Sequence, residues 1–307
     1  MKKYNRILTM ILLLLLAALL TACGEPAAPA ETDATAEPAE TAAQVLENDG
    51  MTLTIPAEYA DLVIAEAKEA EDGTLFYVAE KASVEAGKKQ GYDADSGIGE
   101  LFGIRRVDEE TTQQMRTSDM SGAEIFAKDA AGNYYIFTHP TDVRILRDGE
   151  IGEEDMKQWS VLNEWAWSAV RDAFVAENEG LEPVTFGNSE MDIAFARIAY
   201  TDVKYTIGTT EYGPLEPKDV DPAPYLERLM NGVTYEYTDS ATPDGEFVAL
   251  RFPDEELRFD FFPGTNLIRR AYGEEGDGIL YKATFADGET DACAILQEWY
   301  DALKVNR

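Results

Sequence analysis

Five strand-like runs follow one another over residues 233–237, 247–252, 257–262, 267–272 and 279–285, with only short turns between them. No helical period interrupts the series, so these runs cannot be wound into parallel βαβ units and are expected to pair as an antiparallel meander. Directly after them, Ala292, Ile295, Leu296, Trp299 and Leu303 recur at helical spacing and make a final helix with one apolar side. A meander with one apolar face needs such a helix to cover it. The fold class that follows is α+β, antiparallel β-meanders packed against amphipathic helices.

The preceding stretch reads as a helix over 189–199, a strand over 203–207, a loop from Tyr212 to Pro217 and a short helix from Asp221-Pro222 to Met230. With the meander these make one α+β domain, 181–307. A second, 50–180, has strands at 51–55, 61–65, 75–78 and 101–107 and a short helix at 83–90. Its hairpin, 124–128 with 133–138, turns at Ala131-Gly132. The strongest helix spans 153–177: Glu153, Glu154 and Asp155 suit its positive N-terminus, and Met156, Trp159, Leu162, Ala166, Val170 and Phe174 form a stripe. Gly180 and Pro183 end it. In both halves an aromatic strand and a turn precede a helix bearing Leu-x-Glu-Trp, Leu162 to Trp165 and Leu296 to Trp299. Two related halves would carry this pattern, and so would any hairpin followed by an amphipathic helix.

Upstream, Lys2, Lys3 and Arg6 precede an apolar run over 7–20. At roughly 14 residues this run is shorter than the ~20 that a membrane-spanning helix needs. It closes with Leu20-Thr21-Ala22-Cys23, which resembles the lipobox of bacterial lipoproteins. The resemblance implies a signal peptide over 1–22, cut before Cys23, and a diacylglycerol on the Cys23 sulfur. The chain would then be held to the membrane by lipid on Cys23, on the outer face of the cytoplasmic membrane. Residues 23–49 follow as a tether of Ala, Glu, Pro and Thr with almost no large apolar residue before Val45. Such a stretch buries too little surface to offset chain entropy and is expected to be disordered, spanning ~25–30 Å as a coil.

The formal net charge of −33 argues against nucleic acid and against lying flat on anionic lipid. Calcium, cationic solutes or a basic protein face are compatible with it, as is a merely soluble acidic surface. Once Cys23 carries lipid, Cys293 is the remaining thiol, so stability rests on the core rather than on disulfides.

Most catalytic chemistries fail on the residues. His139 is the single histidine, which removes multi-histidine metal centres; no G-x-S-x-G elbow or S-x-x-K pair presents a serine. His139-Pro140 reads as a bend after a strand. Gly97, Gly99 and Gly103 miss the dinucleotide fingerprint because Phe102 holds the third glycine's place; they read as a turn. Asp93-Ala94-Asp95-Ser96 opens like a calcium loop, but Ile98 stands where the turn glycine belongs and Ile104 where the bidentate glutamate belongs. A looser calcium site on Asp93 and Asp95 stays open beside a solvated acidic turn. Paired carboxylates for glycoside hydrolysis cannot be ruled out by counting acids. Trp159, Trp165, Trp167 and Trp299 all fall on predicted helices, Trp167 the least suited to a core.

Four blocks are similar to a family of uncharacterised lipoproteins of Gram-positive bacteria: Asn133 to Arg144 (NYYIFTHPTDVR), Gln158 to Trp165 (QWSVLNEW), Thr209 to Pro217 (TTEYGPLEP) and Leu280 to Asp287 (LYKATFAD). The resemblance implies no activity or site. The expectation is an extracytoplasmic, lipid-anchored binding or interaction module with no enzymatic activity and no cofactor, engaging a protein or envelope component. The alternatives are a transporter's solute-binding lipoprotein and a carboxylate-based envelope hydrolase. Oligomeric state is left open.

Overall fold

The computed structural model describes residues 42–93, 96–217, 220–273 and 278–305. Cys23, the expected signal peptide and most of the expected tether lie outside them, as do Asp95 and residues 274–277. Residues 41–307 make one compact unit, whose described residues contain fourteen strands and seven helices, numbered here in chain order.

Order begins earlier than the sequence suggests. Gln44–Asn48, expected to be the disordered end of the tether, is strand β1 and pairs antiparallel with β2 (Met51–Ile55). Two forces fix it. Asp49 and Gly50 both take positive φ, 47° and 79°, the conformation of a two-residue hairpin turn for which Asp-Gly is suited. Leu46 then turns inward to join Leu53 and Ile55 in the first core. The Asn48 amide adds bonds to the Lys68 and Leu75 carbonyls at 2.6 and 2.9 Å. The tether therefore ends before residue 44.

After a single helical turn, α1 (Ala57–Ala60), the first six-stranded sheet is built from β3 (Val63–Ala67), β4 (Thr74–Glu80), β5 (Glu100–Val107), β6 (Ala123–Asp129), β7 (Tyr134–Thr138) and β8 (Leu181–Pro183). Its order is β3-β4-β5-β7-β6-β8, antiparallel throughout. Helix α2 (Lys81–Gln90) follows β4, and α3 (Glu109–Arg116) follows β5, capped by the Asp108 carboxylate on the Thr111 amide at 2.8 Å. Helix α4 (Glu153–Glu177) covers one face with Trp159, Leu162, Trp165, Ala166, Val170 and Phe174; Met156, expected in that stripe, is exposed, and Trp165 takes a core place instead. Strand β8 carries the first sheet past the expected boundary at residue 180. Val184 and Phe186 then cover the sheet's other face with Met115, Val107, Ile125 and Ile136.

The second sheet contains β9 (Thr206–Thr209), β10 (Val233–Tyr237), β11 (Val248–Phe252), β12 (Leu257–Phe262), β13 (Leu267–Tyr272) and β14 (Ile279–Phe285), in the order β10-β14-β13-β12-β11-β9. The meander β11 to β14 pairs as the sequence predicts. Alternation sends Val248, Leu250, Phe259, Phe261, Ile268 and Ala283 to one face, against α5 (Glu190–Tyr200), α6 (Ala223–Met230) and α7 (Ala292–Val305). The α+β expectation is met in both halves. Their connections differ: β7 leads through a loop to α4, whereas β13 and β14 intervene between β12 and α7.

Arg116, at the end of α3, joins the halves. Its guanidinium lies 4.1 Å from the Phe186 ring centre and donates to the Tyr200 hydroxyl at 3.3 Å and the Met230 sulfur at 3.8 Å. Asn188 adds a bond from the Met120 amide at 3.2 Å.

Candidate functional site

Beside the end of the second sheet, β9, the start of β11 and α7 enclose an open cleft of about 270 Å³ lined by residues of 209–304. Helix α7 supplies one wall by a simple periodicity. Its core stripe is Ala292, Ile295, Leu296, Trp299 and Leu303, and a neighbouring stripe, Cys293, Gln297, Tyr300 and Lys304, faces the cleft. Asp291 starts the helix: its two carboxylate oxygens accept from the Cys293 and Gly264 amides at 3.0 and 2.7 Å.

The opposite wall is a loop folded back on β9. Ile207 and Leu215 exchange backbone hydrogen bonds at 3.0 and 2.7 Å, closing the loop. Inside it, the Tyr212 amide donates to the Thr209 hydroxyl at 3.0 Å and the Thr210 amide to the Phe247 carbonyl at 3.3 Å. Glycine at 208 lets the loop approach closely: a Cβ there would stand 2.8 Å from the Arg251 guanidinium and 3.1 Å from the Pro214 Cα. Pro214 and Gly208 thus put Tyr212 across from α7.

The ammonium of Lys304 sits between the two walls, 4.7 Å from the Tyr212 ring centre and 5.0 Å from that of Tyr300. Each contact is a cation–π attraction of ~0.5–2 kcal/mol, the larger value where water is excluded. The neighbouring Glu211 carboxylate pushes the Tyr212 phenol's pKa up. Glu246 and Phe247 line the floor. Burial pushes the Cys293 thiol up to about 11, an effect the Val248 amide only partly offsets. Buried and with its thiol held protonated at neutral pH, Cys293 packs as a small apolar group. The chemistry assembled here is that of holding a ligand: aromatic faces, carboxylates, hydroxyls and one ammonium.

The residues singled out from the sequence lie elsewhere. Cys23 and Asp95 fall outside the described residues. Asp93 is exposed, and its carbonyl accepts from the Ser96 hydroxyl at 2.8 Å. Among the described residues no three His, Cys, Asp or Glu side chains come together as a metal site. His139 follows β7 as a bend; its ring lies 4.0 Å from that of the half-exposed Trp167, and its Nδ1 is 3.2 Å from the Pro140 carbonyl. Gly97 and Gly99 form the turn before β5 with φ of 69° and 78°. Nearby Glu100 is pushed up by burial, opposed by Arg144 and His139.

A heavily bonded ionic group is also remote from the cleft. Glu80, fully buried, accepts Arg147 Nη1 and Nη2 at 2.8 and 2.7 Å, Gln158 at 3.1 Å and the Ser83 hydroxyl. Arg147 Nε also donates to Asp155 at 2.6 Å, which holds that carboxyl below its usual range. This network is closed on itself and pins the loop before α4. Periodicity gave no sign of it, nor of Tyr212 and Lys304 meeting; only the i, i+4 spacing of Tyr300 and Lys304 was visible.

No protein-family model, curated protein or solved structure matches the chain. No helix among the described residues is long and apolar enough to cross a membrane.

Proposed function

We propose that this chain is a lipid-anchored extracytoplasmic binding module, held by Cys23 outside the cytoplasmic membrane, with the cleft between Tyr212 and Tyr300 as its ligand site. The observation that carries the reading is the cleft's composition: two aromatic rings around a cation, acids at the rim and a thiol held protonated. His139, the chain's single histidine, does not line it.

Of the cleft's three acids, Asp291 is in structural use, accepting two backbone amides at the start of α7. That takes it out of any hydrolytic carboxylate pair. The cleft also lies within the second half rather than between two lobes, which weighs against the two-lobed solute-binding reading. Two measurements test the proposal. Mass spectrometry of the membrane-extracted protein is expected to find Cys23 as the N-terminal, acylated residue, and Cys23→Ala to release the chain from the membrane. A melting-temperature panel of amines, sugars and peptides is expected to find a stabilising ligand, ~2.7 kcal/mol at 100 times its dissociation constant, whose effect Tyr212→Ala removes. Turnover of a panel compound would sink the non-enzymatic part.

A further inference from the structure

We propose that the cleft recognises a primary alkylammonium group, such as a lysine side chain or a diamine, and that Lys304 is its internal stand-in. The inference rests on the reading of the cleft as the ligand site.

Lys304 shows which chemistry the walls favour. Its ammonium is 4.7 and 5.0 Å from the two ring centres, on the faces that attract cations. Little else holds it there: Asp301, one helical turn back, is 3.8 Å away, with both side chains about half exposed. Lys304 stands in the last turn of α7, so its long stem can swing out without disturbing the core stripe. Glu211 and Glu246 line the same cleft, and the chain's charge of −33 raises the local concentration of cations and lowers that of anions. A cleft of about 270 Å³ admits one extended alkylamine. The external ligand and Lys304 compete for one place, so the apparent affinity is reduced by the fraction of molecules in which Lys304 occupies it.

The test is calorimetric titration of the full chain in detergent micelles with Nα-acetyl-lysine amide and with cadaverine. Lys304→Ala is expected to bind both about tenfold more tightly than the unaltered chain, and adding Tyr212→Ala to remove that gain. Tyr212 is half exposed, so its loss is expected to leave the melting temperature unchanged, which separates lost binding from lost folding. The Nε-acetylated analogue, which lacks the charge, is expected not to bind. Equal affinity with and without Lys304, or equal binding of the neutral analogue, overturns the inference. If no amine binds while another panel ligand gives a shift that Tyr212→Ala abolishes, the ammonium assignment falls and the cleft stands. If Tyr212→Ala alters no ligand's shift, both fall.

Discussion

Glu80 in the first half and Asp260 in the second are both buried to zero exposure, and the two are satisfied in different ways. Glu80 ends β4, and its partners come from three places: Ser83 on the next helix, Arg147 on a loop 67 residues away and Gln158 on α4, 78 residues away. Asp260 lies mid-strand on β12, and its partners are strand neighbours. Arg269, directly across on β13, donates to Oδ2 at 3.0 and 2.7 Å; Arg258, two residues back on the same face, meets Oδ1 at 2.9 Å without the alignment of a hydrogen bond. The Phe247 and Phe262 rings lie 5.8 and 5.7 Å from the Arg269 guanidinium. A buried acid with distant partners fixes tertiary structure, here the seating of the 139–152 loop and α4 on the sheet. One with local partners only reinforces a ladder that hydrogen bonds already define. The first half's buried acid is therefore used in long-range assembly, and the second half's in strengthening its own sheet.

The largest expected effects test that contrast directly. Glu80→Ala leaves Arg147 and Gln158 facing a void and is expected to cost ~3–5 kcal/mol in denaturant unfolding. Asp260→Ala, whose arginines are partly exposed, is expected to cost ~1–3 kcal/mol. The reverse order would break the comparison. Leu162→Ala and Leu296→Ala, both fully buried in equivalent Leu-x-Glu-Trp positions, are each expected to cost ~2–5 kcal/mol. A much smaller loss at one would mean that its core collapses into the cavity.

A smaller effect belongs to Asn178, whose amide brackets Thr52, accepting from its N–H at 2.7 Å and donating to its carbonyl at 2.9 Å. Asn178→Ala is expected to cost ~1–3 kcal/mol and to speed hydrogen exchange in β1 and β2 first. Unchanged exchange there would show that the hairpin holds by Leu46 and Leu53 alone.

Alkaline pH separates the halves further. The Cys293 thiol, raised from 9.0 to about 11 by burial, ionises in the unfolded chain before it does in the folded one. Its contribution is fully present below pH 9 and is lost as pH climbs toward 11. Tyr77, raised from 10.0 to about 12, acts the same way in the first half at higher pH. Melting temperature is expected to fall from pH 9 upward, and less steeply in Cys293→Ala. On the acid side Asp155, lowered by Arg147, contributes above its ordinary 3.8, and that contribution is lost below it. The smallest effect is expected at the partly exposed Arg197–Glu255 pair, where Arg197→Ala should cost under ~1 kcal/mol.

Most of the fold was legible because it is periodic. The four strands of the meander, α4 and α7 stand within a few residues of where alternation and the 3.6-residue period put them, as does β10, expected to open the meander but paired with β14 at the sheet edge. Four elements escaped, the single-turn α1 among them. Strand β1 sits in a tract whose composition argues for disorder, although Asp49-Gly50 carried the hairpin signal. Helix α3, EETTQQMR, has almost no apolar stripe and is held by its Asp108 cap and by Thr112 and Met115 beneath it. Strand β8 is three residues long and ends in Pro183, tolerable because it lies at the sheet edge. The candidate site was hardly legible at all: Tyr212 read only as part of a loop and Lys304 as a helix end.

The sequence by itself determined the α+β class, the order and inward faces of its strongly periodic elements and, with a single histidine, the exclusion of multi-histidine metal centres. It also carries the leader and lipobox-like stretch on which the proposed anchoring rests. These are properties of composition and short-range period, which the chain expresses without reference to distant segments. Tertiary structure alone decided that Arg147 closes on Glu80, that the tether's last residues become a strand, and that Tyr212 and Tyr300 meet around Lys304. The first and last of these join residues many tens of positions apart, and β1, though a local hairpin, is seated by Asn48 reaching Lys68 and Leu75. Their geometry depends on how a loop folds over a sheet edge and where a helix lies on its face, which no local period encodes.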